Sequence, residues 1–142
     1  MTTLAILALF ASAASAGNLI EIASVAEKAV PGTREMTHTY PDHTEVIHIM
    51  KPPLITTEDV AEISLGDDPM VVRVKLSIDG AKKFTTATTG MGGKRIAIIV
   101  QGRIMNAPVI NNAPLGGLFE ISGFKNAAEA KVFVDAFNKK RG

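Results

Sequence analysis

The chain has 142 residues, of which 46% are hydrophobic and 20% are charged, with a formal net charge of +1. This length suits one domain with a single modest core. The near-neutral charge argues against a nucleic-acid-binding protein, because such proteins usually carry a basic excess. The absence of cysteine excludes disulfides, thiolate metal ligands and a lipid anchor attached through a thiol.

The amino-terminal segment predicts export. The stretch 4–16, LAILALFASAASA, is uncharged and apolar, and it ends in small residues with an A-x-A pattern. Such a run is too short to cross a bilayer as a helix but suits the core of a signal peptide. We predict a signal peptide over residues 1–16, cleaved after Ala16, and therefore a periplasmic or secreted protein. Two alternatives remain open: an uncleaved anchor that extends to Ala23 and holds the chain at the inner membrane, or a buried amino-terminal helix.

The next segment, residues 17–43, shows no clear hydrophobic period. It contains Pro31-Gly32, a turn signal, and we predict an arm or linker with one helical turn around Val25–Ala29. The composition changes at Thr44. We therefore place the folded domain at residues 44–142.

Within this domain the first elements are short. The stretch 45–50, EVIHIM, has strand composition, and Pro52-Pro53 ends it. Thr56 and Asp59 have the spacing of a capping box, which predicts a short helix over 57–62. Residues 70–78 predict a strand, with Val72, Val74, Leu76 and Ile78 on one face and Val71, Arg73, Lys75 and Ser77 on the other.

A helix is predicted after this strand, capped by Asp79 and ending near Thr88, with Phe84 on its buried face and Gly90 as its stop. The nearly all-apolar stretch 95–100 predicts a central strand that is buried on both faces. Gln101-Gly102 then predicts a hairpin turn, although Asn or Asp would be usual before the glycine, so a bulged turn is an alternative.

The last predicted elements are a strand over 118–122 and a helix capped by Asn126. This helix has an apolar stripe at the i, i+3, i+4 and i+7 positions Ala130, Phe133, Val134 and Phe137. The predicted fold class is α+β, a small antiparallel or mixed sheet with two main helices packed on one face.

Sharper chemical patterns are absent from the sequence. GMGGK at 90–94 lacks the first Walker glycine, since Thr88 stands there, and Arg95 replaces the required Ser or Thr. His38, His43 and His48 have an odd spacing that places neighbours on opposite faces of an extended chain, which disfavours a metal site. Ser122 has no surrounding nucleophile-elbow motif. We predict no enzyme activity, no cofactor and no metal.

The candidate functional surface is apolar instead. Mobile, glycine-flanked loops that carry methionine and other apolar groups suit weak contacts with varied extended polypeptides. The alternative is that most of these side chains fill the core. The predicted peptide- or partner-binding residues are Met91, Arg103, Met105, Val109, Ile110, Asn111, Leu115, Leu118 and Phe119.

The chain resembles the periplasmic head region of the SecD protein-export subunit over residues 44–139. The shared motifs occur in the same order and at close spacing: GAKKF at 80–84, GKRIAII at 93–99, QGRIMNAPVI at 101–110, GG at 116–117, ISG at 121–123 and EA at 129–130. The resemblance implies a head-like fold and contact with emerging polypeptide or with Sec translocase components. Because the sequence lacks a set of transmembrane helices, the proton-driven motor of SecD is not implied.

Two hypotheses follow from these observations. The first is an exported, non-catalytic module that binds unfolded or extended polypeptide, or docks on the export machinery, through a groove or sheet edge near 101–123. The second is a structural or regulatory domain that binds its own kind or one dedicated partner, with no role in export. Membrane association is expected only if the amino-terminal segment stays uncleaved.

Overall fold

The computed structural model describes residues 18–141, and the side chains of residues 18–140. The predicted signal peptide at 1–16 lies outside the described residues. The elements in chain order are β1 (Ile20–Ala26), β2 (Thr33–Thr39), β3 (Thr44–Met50), β4 (Ile55–Thr56), a 3₁₀ turn (Thr57–Asp59), β5 (Val60–Leu65), β6 (Val72–Leu76), α1 (Ile78–Thr88), β7 (Ile96–Val100), β8 (Arg103–Asn106), β9 (Leu118–Ile121) and α2 (Ala127–Arg141).

The larger sheet is antiparallel and has the order β2-β3-β1-β7-β8, with β4 pairing to the amino-terminal half of β1. Its two end strands, β2 and β8, also contact each other, so the sheet curls round on itself. The curl encloses a small core of seven buried side chains, Ala23, Ile47, Ile49, Ala97, Ile99, Ile104 and Ala107.

The main core lies against the opposite face of this sheet. A second antiparallel sheet, β5-β6-β9, and both helices pack there. Phe84 of α1 and Phe133 and Phe137 of α2 are its largest fully buried side chains. The α+β class is confirmed, as are the buried strand β7 and the apolar stripe of α2.

Both helices begin at a side-chain cap. Asn126 Oδ1 accepts a hydrogen bond from the Glu129 N–H at 2.8 Å, as predicted for α2. In α1 the cap is Ser77 instead of Asp79, because Ser77 Oγ accepts the Gly80 N–H at 2.9 Å. This start leaves Ile78 on the helix surface, 78% exposed, and not on the buried face of the preceding strand.

The largest difference from the sequence-based prediction concerns residues 18–43, which contain two strands instead of an arm or linker with one helical turn. β1 lies between β3 and β7 in the larger sheet, and Val25 and Ala26 belong to it, so no helical turn forms there. Ile20 and Ile22 face the main core, whereas Ala23 faces the enclosed core. With apolar residues on both faces, β1 shows no alternation that could reveal it.

The prediction of a helix at 57–62 is wrong, because a 3₁₀ turn and the start of β5 occupy these residues. The Thr56 N–H does donate to Asp59 Oδ2 at 3.0 Å, but only the 3₁₀ turn follows. Val60 and Ile63 are buried and pair with β6, so strand pairing replaces the helix.

The hairpin between β7 and β8 is tight despite its unusual first residue. Gln101 and Gly102 have φ of 50° and 82°, and Val100 pairs directly with Arg103. Both central residues thus adopt the left-handed conformation of a two-residue turn. The irregularity of this ladder lies further back, between Ile98 and Ile99.

Candidate functional site

The first candidate is the outer side of β9, which we call the β9 edge. The Leu76 N–H donates to the Gly117 carbonyl at 2.8 Å. Because hydrogen-bonded and non-bonded pairs alternate in an antiparallel ladder, the backbone groups of Leu118 and Glu120 point away from β6. Among residues 18–141 no strand pairs with that side of β9. Leu118 is 75% exposed, whereas Phe119 packs against the main core.

The backbone is closely approached by neighbouring atoms on both sides of β9. A Cβ at Gly117 would lie 2.8 Å from Ala81 Cβ, and a Cβ at Gly123 would lie 2.7 Å from the Met105 carbonyl oxygen. Gly123 also has a φ of +100°, which disfavours other residues. The glycines that flank β9 therefore allow it to pack tightly against α1 on one side and β8 on the other.

Threonines of α1 fix the chain that leads into β9. Leu115 donates its N–H to Thr88 Oγ1 at 2.8 Å, and its carbonyl accepts from Thr85 Oγ1 at 2.8 Å. Thr88 is fully buried. These β-branched residues, which disfavour helix by propensity, thus provide the hydrogen bonds that anchor the segment before the β9 edge.

The second candidate is an open groove of about 790 Å³, which we call the seam groove. Its floor comes from the end of β1 and from β3, and its wall comes from the segment 91–95 and Val109. Val46, Met50 and Val109 contribute exposed apolar surface. The lining residues are Ser24, Val25, Ala26, Glu27, Glu45, Val46, Ile47, His48, Met50, Met91, Gly93, Lys94, Arg95 and Val109.

An ion pair is part of the lining of this groove. The Arg95 guanidinium donates to both oxygens of Glu45, at 2.7 and 3.2 Å, and its Nε donates to the Ala107 carbonyl at 3.1 Å. The Tyr40 hydroxyl also donates to Glu45 at 3.1 Å. The hydrogen bonds from Arg95 hold the pKa of Glu45 below its usual value, while burial and Glu45 raise the pKa of Tyr40. The charges satisfy each other, and this cluster is a structural clamp.

The predicted binding residues do not form one surface, since they lie in these two places, in the interior and at other exposed positions. Met105 and Ile110 are 5% and 3% exposed, so they are core residues and leave the predicted surface smaller than expected. Leu115, Met91 and Phe119 are partly buried and pack against the main core. The exposed members are Val109 at the seam groove, Leu118 at the β9 edge, Asn111, and Arg103, which pairs with Glu129 at 3.2 Å.

Sequence reasoning missed Val46 and Met50. Both alternate with the buried Ile47 and Ile49, so they lie on the other face of β3. The sequence does carry a signal, because apolar residues occur on both faces of this strand. It could not show which face would be left uncovered.

The three histidines do not form one cluster. His38 and His43 each contact the Tyr40 ring, at centroid distances of 4.3 and 4.4 Å, and His48 lies at the seam groove. Within residues 18–141 no group of three His, Asp or Glu side chains is arranged to hold a metal ion. Over the same residues, no helix combines the length and the apolar character needed to cross a membrane.

Comparison with known proteins assigns a family. A family model described as SecDF, P1 head subdomain, matches residues 33–134. The protein translocase subunit SecDF of Thermus thermophilus is 39% identical over 82 residues, covering 56% of this chain and 11% of the relative. Protein translocase subunit SecD of Acidaminococcus fermentans is 39% identical over 81 residues, covering 55% of this chain and 19% of the relative. The chain thus spans only a small part of these relatives.

Solved structures agree with this assignment. A crystal structure of SecDF in its super-membrane-facing form matches with a TM-score of 0.65 and 26% identity, over 84% of this chain and 18% of that one. A second structure, of SecDF as a membrane component that enhances protein export, matches with a TM-score of 0.63, over 84% of this chain and 61% of that one. The chain belongs to the SecDF P1 head subdomain family.

Proposed function

We propose that this domain acts in protein export as a non-catalytic module that contacts extended polypeptide. The single observation that carries the proposal is the β9 edge, where the backbone groups of Leu118 and Glu120 point outward beside an exposed leucine. Family membership supports the export context, since the relatives are protein translocase subunits.

A sheet edge suits a client whose sequence varies. An added strand is held by main-chain hydrogen bonds, which every residue except proline can donate, while one apolar side chain adds affinity. β9 is only four residues long and carries Glu120, both features that limit edge-to-edge aggregation. The contact is therefore expected to be weak and reversible, as a module that must release its client requires.

The proposal places the domain in the periplasm, where it would contact emerging polypeptide and other Sec translocase components. It gives the domain no catalytic step and no part of a proton-driven motor. The glycine-flanked packing of β9 against α1 and β8 supports this role, because a rigid edge lowers the ordering cost of binding.

The test compares one protein in two forms. A reduced and carboxymethylated, permanently unfolded protein serves as the probe, and its folded, disulfide-bonded form is the control; the cysteine-free domain is inert to thiol reagents. We expect the full-length chain to bind the unfolded form selectively, as measured by fluorescence anisotropy. Leu118→Asp should weaken binding about fivefold, because it replaces apolar contact with a charge.

The matched control is Val132→Asp on α2, since Val132 is 62% exposed and lies away from β9 in the chain. This variant should bind as the unaltered domain does. Equal affinity for the folded and unfolded probes would contradict the proposal. So would an affinity for the unfolded probe that Leu118→Asp leaves unchanged. Self-association without binding to the unfolded probe would favour the structural or regulatory alternative.

A further inference from the structure

Val46 is one of the β3 residues whose backbone groups point away from the neighbouring strand β2. The Tyr40 N–H donates to the His43 carbonyl at 2.8 Å. Hydrogen-bonded pairs alternate with non-bonded pairs from that point along the ladder, which makes Thr37 and Val46 a non-bonded pair. The N–H and C=O of Val46 are therefore directed to the other side of β3.

On that side β1 ends before it reaches Val46. The last pairs between the two strands are Val25 with Ile49 and Ala26 with His48. β1 ends at Ala26, and the chain bends at 27–28. Among residues 18–141 no other strand takes the place of β1 beside Val46. The vacant ladder position opens into the seam groove, which Val46 lines.

We propose that the seam groove accepts a short extended segment of another polypeptide, which adds to β3 in line with β1 and pairs with the backbone of Val46. The class of occupant rests on the proposed function, and the site is separate from the β9 edge. An antiparallel segment in this position would continue the ladder that β1 leaves unfinished.

The dimensions and chemistry of the groove fit this occupant. Its volume of about 790 Å³ is in the range of sites that hold compact ligands. Val46 and Val109 are 53% and 48% exposed, and Met91 adds an adaptable side chain at the wall. One acidic and one basic residue, Glu27 and Lys94, lie at the rim, and the Arg95–Glu45 pair is internally neutralised. The groove thus favours apolar segments without selecting their charge.

The seam groove is also continuous with the β9 edge along the chain. Val109 forms a bridge with Arg95, and Ile110 exchanges hydrogen bonds with Gly93 and Lys94 at 2.8 Å. The same segment continues to Leu115, which α1 holds, and then enters β9. One ordered connector therefore links the wall of the groove to the open edge.

Amide hydrogen exchange tests the proposal at single-residue resolution. The full-length, ¹⁵N-labelled chain is measured by NMR alone and with saturating reduced, carboxymethylated unfolded protein. We expect the Val46 N–H to exchange about tenfold more slowly when the probe is bound, because a new hydrogen bond protects it. The Thr37 N–H, which also points out of the β2–β3 ladder but on the far side, should be unaffected.

The Glu120 N–H reports on the proposed function in the same experiment. Slower exchange at Glu120 with no change at Val46 would overturn the seam-groove proposal and leave the β9 edge as the binding site. Slower exchange of the Val46 amide supports the proposal, whether or not the exchange rate of the Glu120 amide changes. No change at either amide would overturn both.

A variant gives an independent test. Val46→Pro removes the outward N–H without breaking a bond of the β2–β3 ladder, and proline is tolerated at such edge positions. We expect affinity for the unfolded probe to fall about tenfold, with Thr37→Pro as the matched control that binds normally. If Val46→Pro does not fold, Val109→Asp is tested in its place. A loss of affinity for the unfolded probe of about threefold or more supports the proposal, and unchanged affinity overturns it.

Discussion

Glu45 shows how one carboxylate joins separate parts of the chain. It accepts two hydrogen bonds from Arg95 and one from Tyr40, and Arg95 in turn binds the Ala107 carbonyl. At the lining of the seam groove, the pair therefore joins β3 to the residue that precedes β7. About a third of each partner is exposed, so solvent screens the pair.

Glu45→Gln should lower the free energy of unfolding at pH 7 by about 1 kcal/mol, because the amide cannot replace the charged acceptor. Arg95 holds the folded-state pKa of Glu45 below its usual value. The stabilisation is therefore complete above the unfolded-state pKa of about 4.3 and is lost as the pH falls through the lower folded-state pKa. Urea unfolding between pH 7 and pH 3 measures this.

The control for this prediction is Glu58→Gln, since Glu58 is exposed at the 3₁₀ turn. The difference between the unaltered chain and Glu45→Gln should shrink in acid, whereas that for Glu58→Gln should stay small throughout. A Glu45→Gln deficit that is independent of pH would show that the ion pair is not its cause.

Among the elements, β6 and α2 could be predicted from the sequence because each buries a single face. Alternation reveals a half-buried strand and a 3.6-residue period reveals a half-buried helix. β1 lacks such a pattern because the two cores take apolar residues from both of its faces. At 57–62 the predicted capping contact is present, but pairing with β6 outweighs the local helix signal.

The candidate site was predictable only in part, for a related reason. Met105 and Leu118 are both apolar residues in short strands near glycine, yet one is buried and the other is exposed. Which face of a strand is covered depends on the packing of distant elements, which local composition does not record. The vacant position beside Val46 depends on where β1 ends, and that boundary is a tertiary property.

The integral role of β1 leads to a prediction about stability. Ile22 is 1% exposed at the centre of the strand, so Ile22→Ala should cost about 3 kcal/mol, measured by urea unfolding. Val30→Ala, at a site that is 40% exposed, should cost no more than about 0.5 kcal/mol. If the two variants were equally mild, residues 18–26 would be acting as a dispensable arm.

At the scale of the molecule, the larger sheet separates two cores. The two candidate sites lie on different sheets, the vacancy beside Val46 on the larger sheet and the β9 edge on the smaller one, and each has outward backbone groups. The connector from Val109 to Leu115 links them and is held by hydrogen bonds with α1 and with Gly93 and Lys94, which precede β7. Both places suit an extended chain better than a folded surface, because each offers main-chain pairing and a small apolar contact.

Contact between this domain and polypeptide during export can be detected by photo-cross-linking in intact cells. A photoreactive group is introduced at Leu118 of the full-length chain, with the same group at Val132 as the matched position on α2. We predict that Leu118 captures varied exported polypeptides and Sec translocase subunits, and that Val132 captures few of either. Capture at Leu118 of only this chain itself, or of one partner unrelated to export, would contradict the proposed contact.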